Sequence, residues 1–187
     1  MIKRIVDFFL AILLFFVFML PMAAICIVIK ITSPGRALFW SRRVGKDNKI
    51  FLMPKFRTMK VGTPQVATHL LENADEAYTL IGKSLRSYSL DELPQLLSVL
   101  KGDMSFVGPR PALFNQDDLI DLRSKLKINK LKPGITGWAQ VNGRDELSIE
   151  LKANFDREYV DRRSLGFDFY IIWLTLLKVI KKDGISH

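Results

Sequence analysis

One cysteine, Cys26, and two histidines, His69 and His187, are all that 187 residues offer of thiol and imidazole. A lone thiol cannot close an intramolecular disulfide, and so few ligands cannot build a Cys/His zinc cluster. Chemistry in this chain must run without them. An internal repeat, a Gly/Ser linker and a low-complexity tract are also missing, so no boundary divides the chain after residue 31. Acidic excess is absent too. Lys and Arg number 28 against 19 Asp and Glu, giving a net charge of +9 that favours anionic partners such as phosphates, lipid headgroups or nucleic acid. Nucleic acid fits worst, because the basic residues form no continuous tract, acids lie among them, and no zinc finger or RNP-like motif occurs. With 49% apolar and 25% charged residues the chain is that of a folded domain, and its length excludes a large multidomain enzyme.

What is present in excess is one apolar run. Residues 8–29, FFLAILLFFVFMLPMAAICIVI, are free of charge over 22 positions. As a straight helix they would reach about 33 Å, just enough to cross a hydrocarbon core of about 30 Å. Pro21 interrupts the run by removing a helical N–H, which predicts two helical halves, 8–20 and 22–29, with a break between them. Lys3 and Arg4 precede the run, whereas Lys30, Arg36, Arg42, Arg43, Lys46 and Lys49 follow it. Basic residues resist translocation, so both flanks read as cytoplasmic. A re-entrant helix that enters and leaves through one leaflet satisfies both flanks, and the alternative is a single crossing with a short N-terminus outside. A cleaved export signal fits less well, since the run is too long. The expected division is thus residues 1–31 as a membrane-inserted segment and 32–187 as a cytoplasmic, membrane-associated catalytic domain.

The remainder predicts a mixed α/β fold, mainly helical, with a small β-hairpin or sheet and interfacial amphipathic helices. Residues 37–43 and 50–59 flank a turn at 45–49 as in a hairpin, and Pro54 places the second strand at an edge. Helical patterns cover 66–85 and 93–100, the latter ending before Gly102, and a further helix runs over 115–127 with Asn115 as its cap. Residues 136–141 read as a short strand. Leu147, Leu151, Phe155 and Tyr159 make a fourfold stripe expected to face the core. Residues 167–180 are apolar but too short to span; they either enter the core or lie on a membrane surface with lysines toward headgroups.

The chemistry concentrates in Ser89-Leu90-Asp91-Glu92-Leu93-Pro94. Ser89 and Glu92 fit an ordinary capping box, in which the acids merely favour a helix start. Pro94 argues instead for a helix beginning near Leu93, with both acids just ahead of it. Aspartate is anionic at neutral pH and can attack phosphorus without a base, and Glu92 beside it, with Asp91, could hold Mg²⁺. Attack on a diphosphate is opposed by like charge, so basic side chains must offset it. Arg110 between two prolines, Lys55 and Arg57 alternating along a strand, Arg86 and Arg144 are the candidates. The three glycines of residues 132–144 would let backbone approach a ligand, although the stretch is neither a Walker A loop nor a GxGxxG turn.

Taken in order, the apolar N-terminus with its proline, Lys55-Phe56-Arg57-Thr58-Met59, residues 89–96, residues 101–111 (KGDMSFVGPRP) and residues 132–144 (KPGITGWAQVNGR) resemble the bacterial sugar transferases, the monotopic phosphoglycosyl transferases. The resemblance covers nearly the whole chain. It implies transfer of a sugar 1-phosphate from a UDP-sugar to polyprenol (undecaprenyl) phosphate with release of UMP, at the cytoplasmic face of a bacterial inner membrane. It further implies Asp91 as nucleophile of a covalent aspartyl phospho-sugar intermediate, Glu92 accompanying Mg²⁺, and Arg110 and Arg86 on phosphate. Arg57 stands where some relatives carry lysine. Such transfer starts glycoconjugate assembly, whether O-antigen, capsule, exopolysaccharide or glycoprotein glycan, with downstream glycosyltransferases as partners. Compared with relatives that carry a multi-span N-terminal region, the chain looks like a minimal catalytic form. Two other classes stay open: a non-catalytic, membrane-anchored basic protein that binds lipid or nucleic acid, and a Mg²⁺-dependent phosphatase.

Overall fold

The computed structural model describes residues 2–64, 74–143 and 147–181. The apolar N-terminus forms one helix, α1 (Ile2–Thr32), which ends where Ser33-Pro34-Gly35 turns the chain, Gly35 at φ +106°. The predicted halves 8–20 and 22–29 belong to one helix, which continues through Pro21. A proline deletes only its own N–H bond, and the bonds before and after it persist in an otherwise favourable apolar helix. Two strands follow, β1 (Leu38–Val44) and β2 (Ile50–Phe56), antiparallel with Val44 opposite Ile50 and Trp40 opposite Pro54. Their turn uses Asp47 and Asn48 at positive φ, a conformation these short polar side chains tolerate. With only two strands in the sheet, Pro54 lies on an edge as expected.

Of the helical pattern expected over 66–85, residues 66–73 lie outside the described residues; the remainder holds α2 (Ala74–Ala77) and most of α3 (Gly82–Ser87). A 3₁₀ segment, Leu90–Gln95, then leads into α4 (Leu96–Lys101), which Gly102 terminates at φ +94°. Strand β3 (Ser105–Val107) pairs in parallel with β4 (Gly134–Thr136), between which lies α5 (Asp117–Lys125). Helix α5 is shorter than predicted, capped at Gln116 rather than Asn115. The β3–β4 crossing is so close that a Cβ on Gly134 would sit 2.2 Å from the Gly108 nitrogen, which only glycine permits. The strand predicted over 136–141 is corrected: β4 stops at Thr136, Gly137 is extended, and α6 (Trp138–Val141) is a helical turn. A run of six mixed residues carries no period that separates the two.

Helix α7 (Ile149–Arg162) starts at Ser148, whose side chain accepts from the Leu151 N–H at 3.3 Å. Its buried face is Ala153, Asp156 and Tyr159; of the predicted stripe Tyr159 is buried, Leu147 and Phe155 are half-buried, and Leu151 is 48% exposed. Helix α8 (Leu165–Lys181) enters the core on one side, as one of the two expectations had it. Phe167, Asp168 and Ile171 are buried, while Phe169, Tyr170, Trp173 and Leu176 face outward.

One core gathers Met53, Val99, Met104, Phe106, Tyr159 and Ile171 around Ala11 of α1, and a second gathers Ala37, Phe56 and Leu85 around Ile29. Both halves of α1 therefore pack on the same body. At its start Lys3 pairs with Asp168 at 2.6 Å, Arg4 donates to the Leu100 carbonyl at 2.8 Å, and Asp7 accepts the Phe106 N–H at 3.3 Å. At its end Arg57 donates to the carbonyls of Ser33, at 2.9 Å, and Pro34. The opposite side of α1, including Phe9, Phe16 and Leu20, is bare. Among the described residues it is the one helix long and apolar enough to cross a membrane, and only 6% of its most apolar window is buried.

Candidate functional site

Asp91 and Glu92 lie in the 3₁₀ segment ahead of α4, packed against β2. Ser89, which precedes them, takes the left-handed conformation (φ 55°, ψ 21°) and makes no side-chain capping bond to the segment. The capping-box reading is thereby set aside. Pro94 falls inside the 3₁₀ turns, two residues before α4 begins, so the acids sit just ahead of the helix as the position of that proline suggested. Both carboxylates are buried, Asp91 to 7% exposure and Glu92 to 9%. Buried acids without a helix-capping role need another reason to be there.

Cations supply part of it. Lys55 reaches in from β2, its Nζ 2.8 Å from Glu92 Oε1 and 3.7 Å from Asp91 Oδ2. Arg110 brings Nη2 to 3.3 Å from the same Glu92 oxygen. Arg86 comes from α3, its Nε donating to Thr58 Oγ1 at 3.1 Å and its guanidinium 5.4 Å from the Tyr78 ring centre. Burial pushes the Asp91 carboxyl above the usual carboxylate range; Glu92 adds to that, while Lys55, Arg86 and Arg110 pull against it. Two buried acids thus stand within electrostatic reach of three cations, which offset part of the cost of burying negative charge.

Arg57 is not brought to the acids. It lies one residue past the end of β2, where strand alternation no longer fixes direction, and it turns to the Ser33 and Pro34 carbonyls at the exit of α1. Arg144 lies outside the described residues. A residue that sequence reasoning missed is Arg123 of α5, whose Nη1 donates to the Arg110 carbonyl at 2.8 Å. It is itself held by the buried Asp156 of α7, with Nε at 2.9 Å and Nη2 at 2.5 Å from Oδ2. Arg43 donates to the Pro111 carbonyl at 3.1 Å, and the Val44 N–H to that of Ala112 at 3.0 Å. The backbone around Arg110 is therefore fixed from two sides. No local spacing signals an ion pair between positions 33 apart.

Among the described residues no cluster of three or more His, Cys, Asp and Glu could hold a metal by itself. Asp91 and Glu92 supply two adjacent carboxylates, oxygen donors of the kind that hard cations take.

A family model for the bacterial sugar transferases matches residues 1–182. The UDP-glucose:undecaprenyl-phosphate glucose-1-phosphate transferase of Escherichia coli is 40% identical over 95% of this chain, which spans 40% of that protein's length. A UDP-N-acetylgalactosamine-undecaprenyl-phosphate N-acetylgalactosaminephosphotransferase of Aeromonas hydrophila is 35% identical over 98% of the chain and 44% of its own length. The sugar transferase EpsL of Bacillus subtilis is 42% identical over 85% of the chain and 76% of its own length. On this extent of match, the chain belongs to the bacterial sugar transferase family.

Proposed function

We propose that this protein moves a sugar 1-phosphate from a UDP-sugar to polyprenyl (undecaprenyl) phosphate and releases UMP, as the names of its relatives describe for those proteins. The observation that carries the reading is the buried Asp91–Glu92 pair with Lys55, Arg86 and Arg110 around it, beside a lipid-compatible helix. In the first step an Asp91 carboxylate oxygen attacks the phosphorus that bears the sugar. A P–O bond forms to Asp91, the anhydride bond breaks, and its electrons leave with UMP. Lys55, Arg86 and Arg110 offset the repulsion between attacking carboxylate and diphosphate, and they are already in place before reaction. Arg123, through its bond to the Arg110 backbone, acts as a positioning residue. Asp91 and Glu92 would hold Mg²⁺, which supplies charge neutralisation on the diphosphate when bound.

A covalent intermediate suits substrates from different phases, since the soluble donor can leave before the lipid acceptor arrives. Both ends of α1 are tied to the catalytic body, which supports a re-entrant arrangement in which α1 bends at Pro21 without breaking and the active site lies at the cytoplasmic face of the inner membrane. Membrane lipids surround α1 and the outer side of α8. The product is then the starting lipid for downstream glycosyltransferases. A single-turnover assay tests the reading: enzyme with UDP-sugar alone yields UMP equal to the enzyme present, and turnover beyond that requires polyprenyl phosphate. UMP release that is catalytic without lipid would assign a hydrolase instead.

A further inference from the structure

A cleft of about 210 Å³, lined by Glu92 but not by Lys55 or Arg110, is walled chiefly by α1, α8, β4 and the 3₁₀ segment, with single contributions from α4 and β3 and two residues from α6. Leu14 and Phe18 of α1, Thr175 and Val179 of α8, Leu96 of α4 and Phe106 of β3 are among its lining residues. The two helices that border it both turn bare apolar faces outward: Phe16, Val17 and Leu20 on α1, Trp173 and Leu176 on α8. A molecule entering between them comes from the lipid and not from water. One cation, Lys178, lines the cleft, and among the described residues it has no carboxylate partner. A mainly apolar cleft lined both by Glu92 of the reaction centre and by the Lys178 ammonium suits a long apolar chain ending in an anion. A soluble, polar nucleotide sugar is a poor match for these walls.

Resting on the transferase reading above, we infer that this cleft seats the first isoprene units of the acceptor, with Lys178 holding its phosphate as it comes to the intermediate. The donor diphosphate then lies against Lys55 and Arg110, and the acceptor enters between α1 and α8. In the second step an acceptor phosphate oxygen attacks the phosphorus carried by Asp91. A new P–O–P linkage forms, the bond to the Asp91 oxygen breaks, and its electron pair returns to the carboxylate; the acceptor dianion needs no base.

The full chain in nanodiscs, with UDP-sugar and polyprenyl phosphate, tests this. Lys178→Gln should raise the KM for polyprenyl phosphate about tenfold, the loss of one charge-assisted contact, with the KM for the UDP-sugar moved less than about twofold. Leu14→Trp, which fills the cleft, should depress lipid-dependent turnover while the stoichiometric UMP burst persists, and that burst also shows that the variant is folded. Should Leu14→Trp fail to fold, Lys178→Gln decides alone. An unchanged acceptor KM in Lys178→Gln, or equal rises for both substrates, overturns the cleft assignment and leaves the transferase reading standing. Absence of the UMP burst in the unaltered protein overturns both.

Discussion

At the scale of single residues, the elevated Asp91 carboxyl sets two opposed demands. Burial penalises its ionised form, so between the ordinary carboxylate range and its raised value the folded protein binds a proton that the unfolded chain has already released. Stability contributed at this position is therefore greatest at low pH and falls as pH rises through that window. Catalysis needs the opposite state. Asp91→Asn should raise the melting temperature at neutral pH while cutting turnover on the order of a thousandfold or more, read by calorimetry and UMP release. The acid limb of the pH–rate profile should sit above the usual carboxylate range. Glu92→Gln should weaken the dependence of rate on Mg²⁺, and an unaltered Mg²⁺ titration would remove Glu92 from that role. Sequence reasoning reached Asp91, Glu92, Lys55 and Arg110 because each carries a motif or a strand phase. It misdirected Arg57, whose strand had ended one residue earlier.

At the scale of elements, α5 and α7 are joined by the Arg123–Asp156 pair, 9% and 1% exposed. Burial raises the Asp156 carboxyl and Arg123 pulls it back, so the pair is held by mutual charge rather than by solvent. Asp156→Ala leaves a buried guanidinium without its partner and should cost about 3–5 kcal/mol in denaturant unfolding. Arg123→Lys keeps the charge but lacks the fork that binds Asp156 and the Arg110 carbonyl together, and should raise the KM for UDP-sugar more than it lowers kcat. Strand and helix identities were largely legible from period and turn residues, since β1, β2, α4 and α8 fall close to their predicted bounds. The buried side of α7 was not. Apolar spacing pointed to Leu151, whereas the partner helix supplies an arginine that draws Asp156 inward.

At the scale of the whole molecule, α1 and α8 both leave large apolar side chains exposed, Phe16 and Leu20 on one and Trp173 and Leu176 on the other. The sequence showed the apolar run and its basic flanks plainly, but not that both halves of the run pack on one body, because those contacts join residues such as Ala11 and Ile171 far apart in the chain. Single cysteines near residue 2 and near Ser33, introduced after Cys26→Ser, should both label from the cytoplasmic side. Labelling of the N-terminal site from outside alone would establish a crossing helix. Beneath the topology and the lipid cleft lies one chemical event, the capture of a sugar phosphate by a buried carboxylate. Incubation with UDP-sugar in the absence of acceptor, followed by acid quench and peptide mass spectrometry, should find the glycosyl phosphate mass on the peptide containing Asp91 and nowhere else. An adduct on another residue, or none under conditions that release stoichiometric UMP, would contradict it.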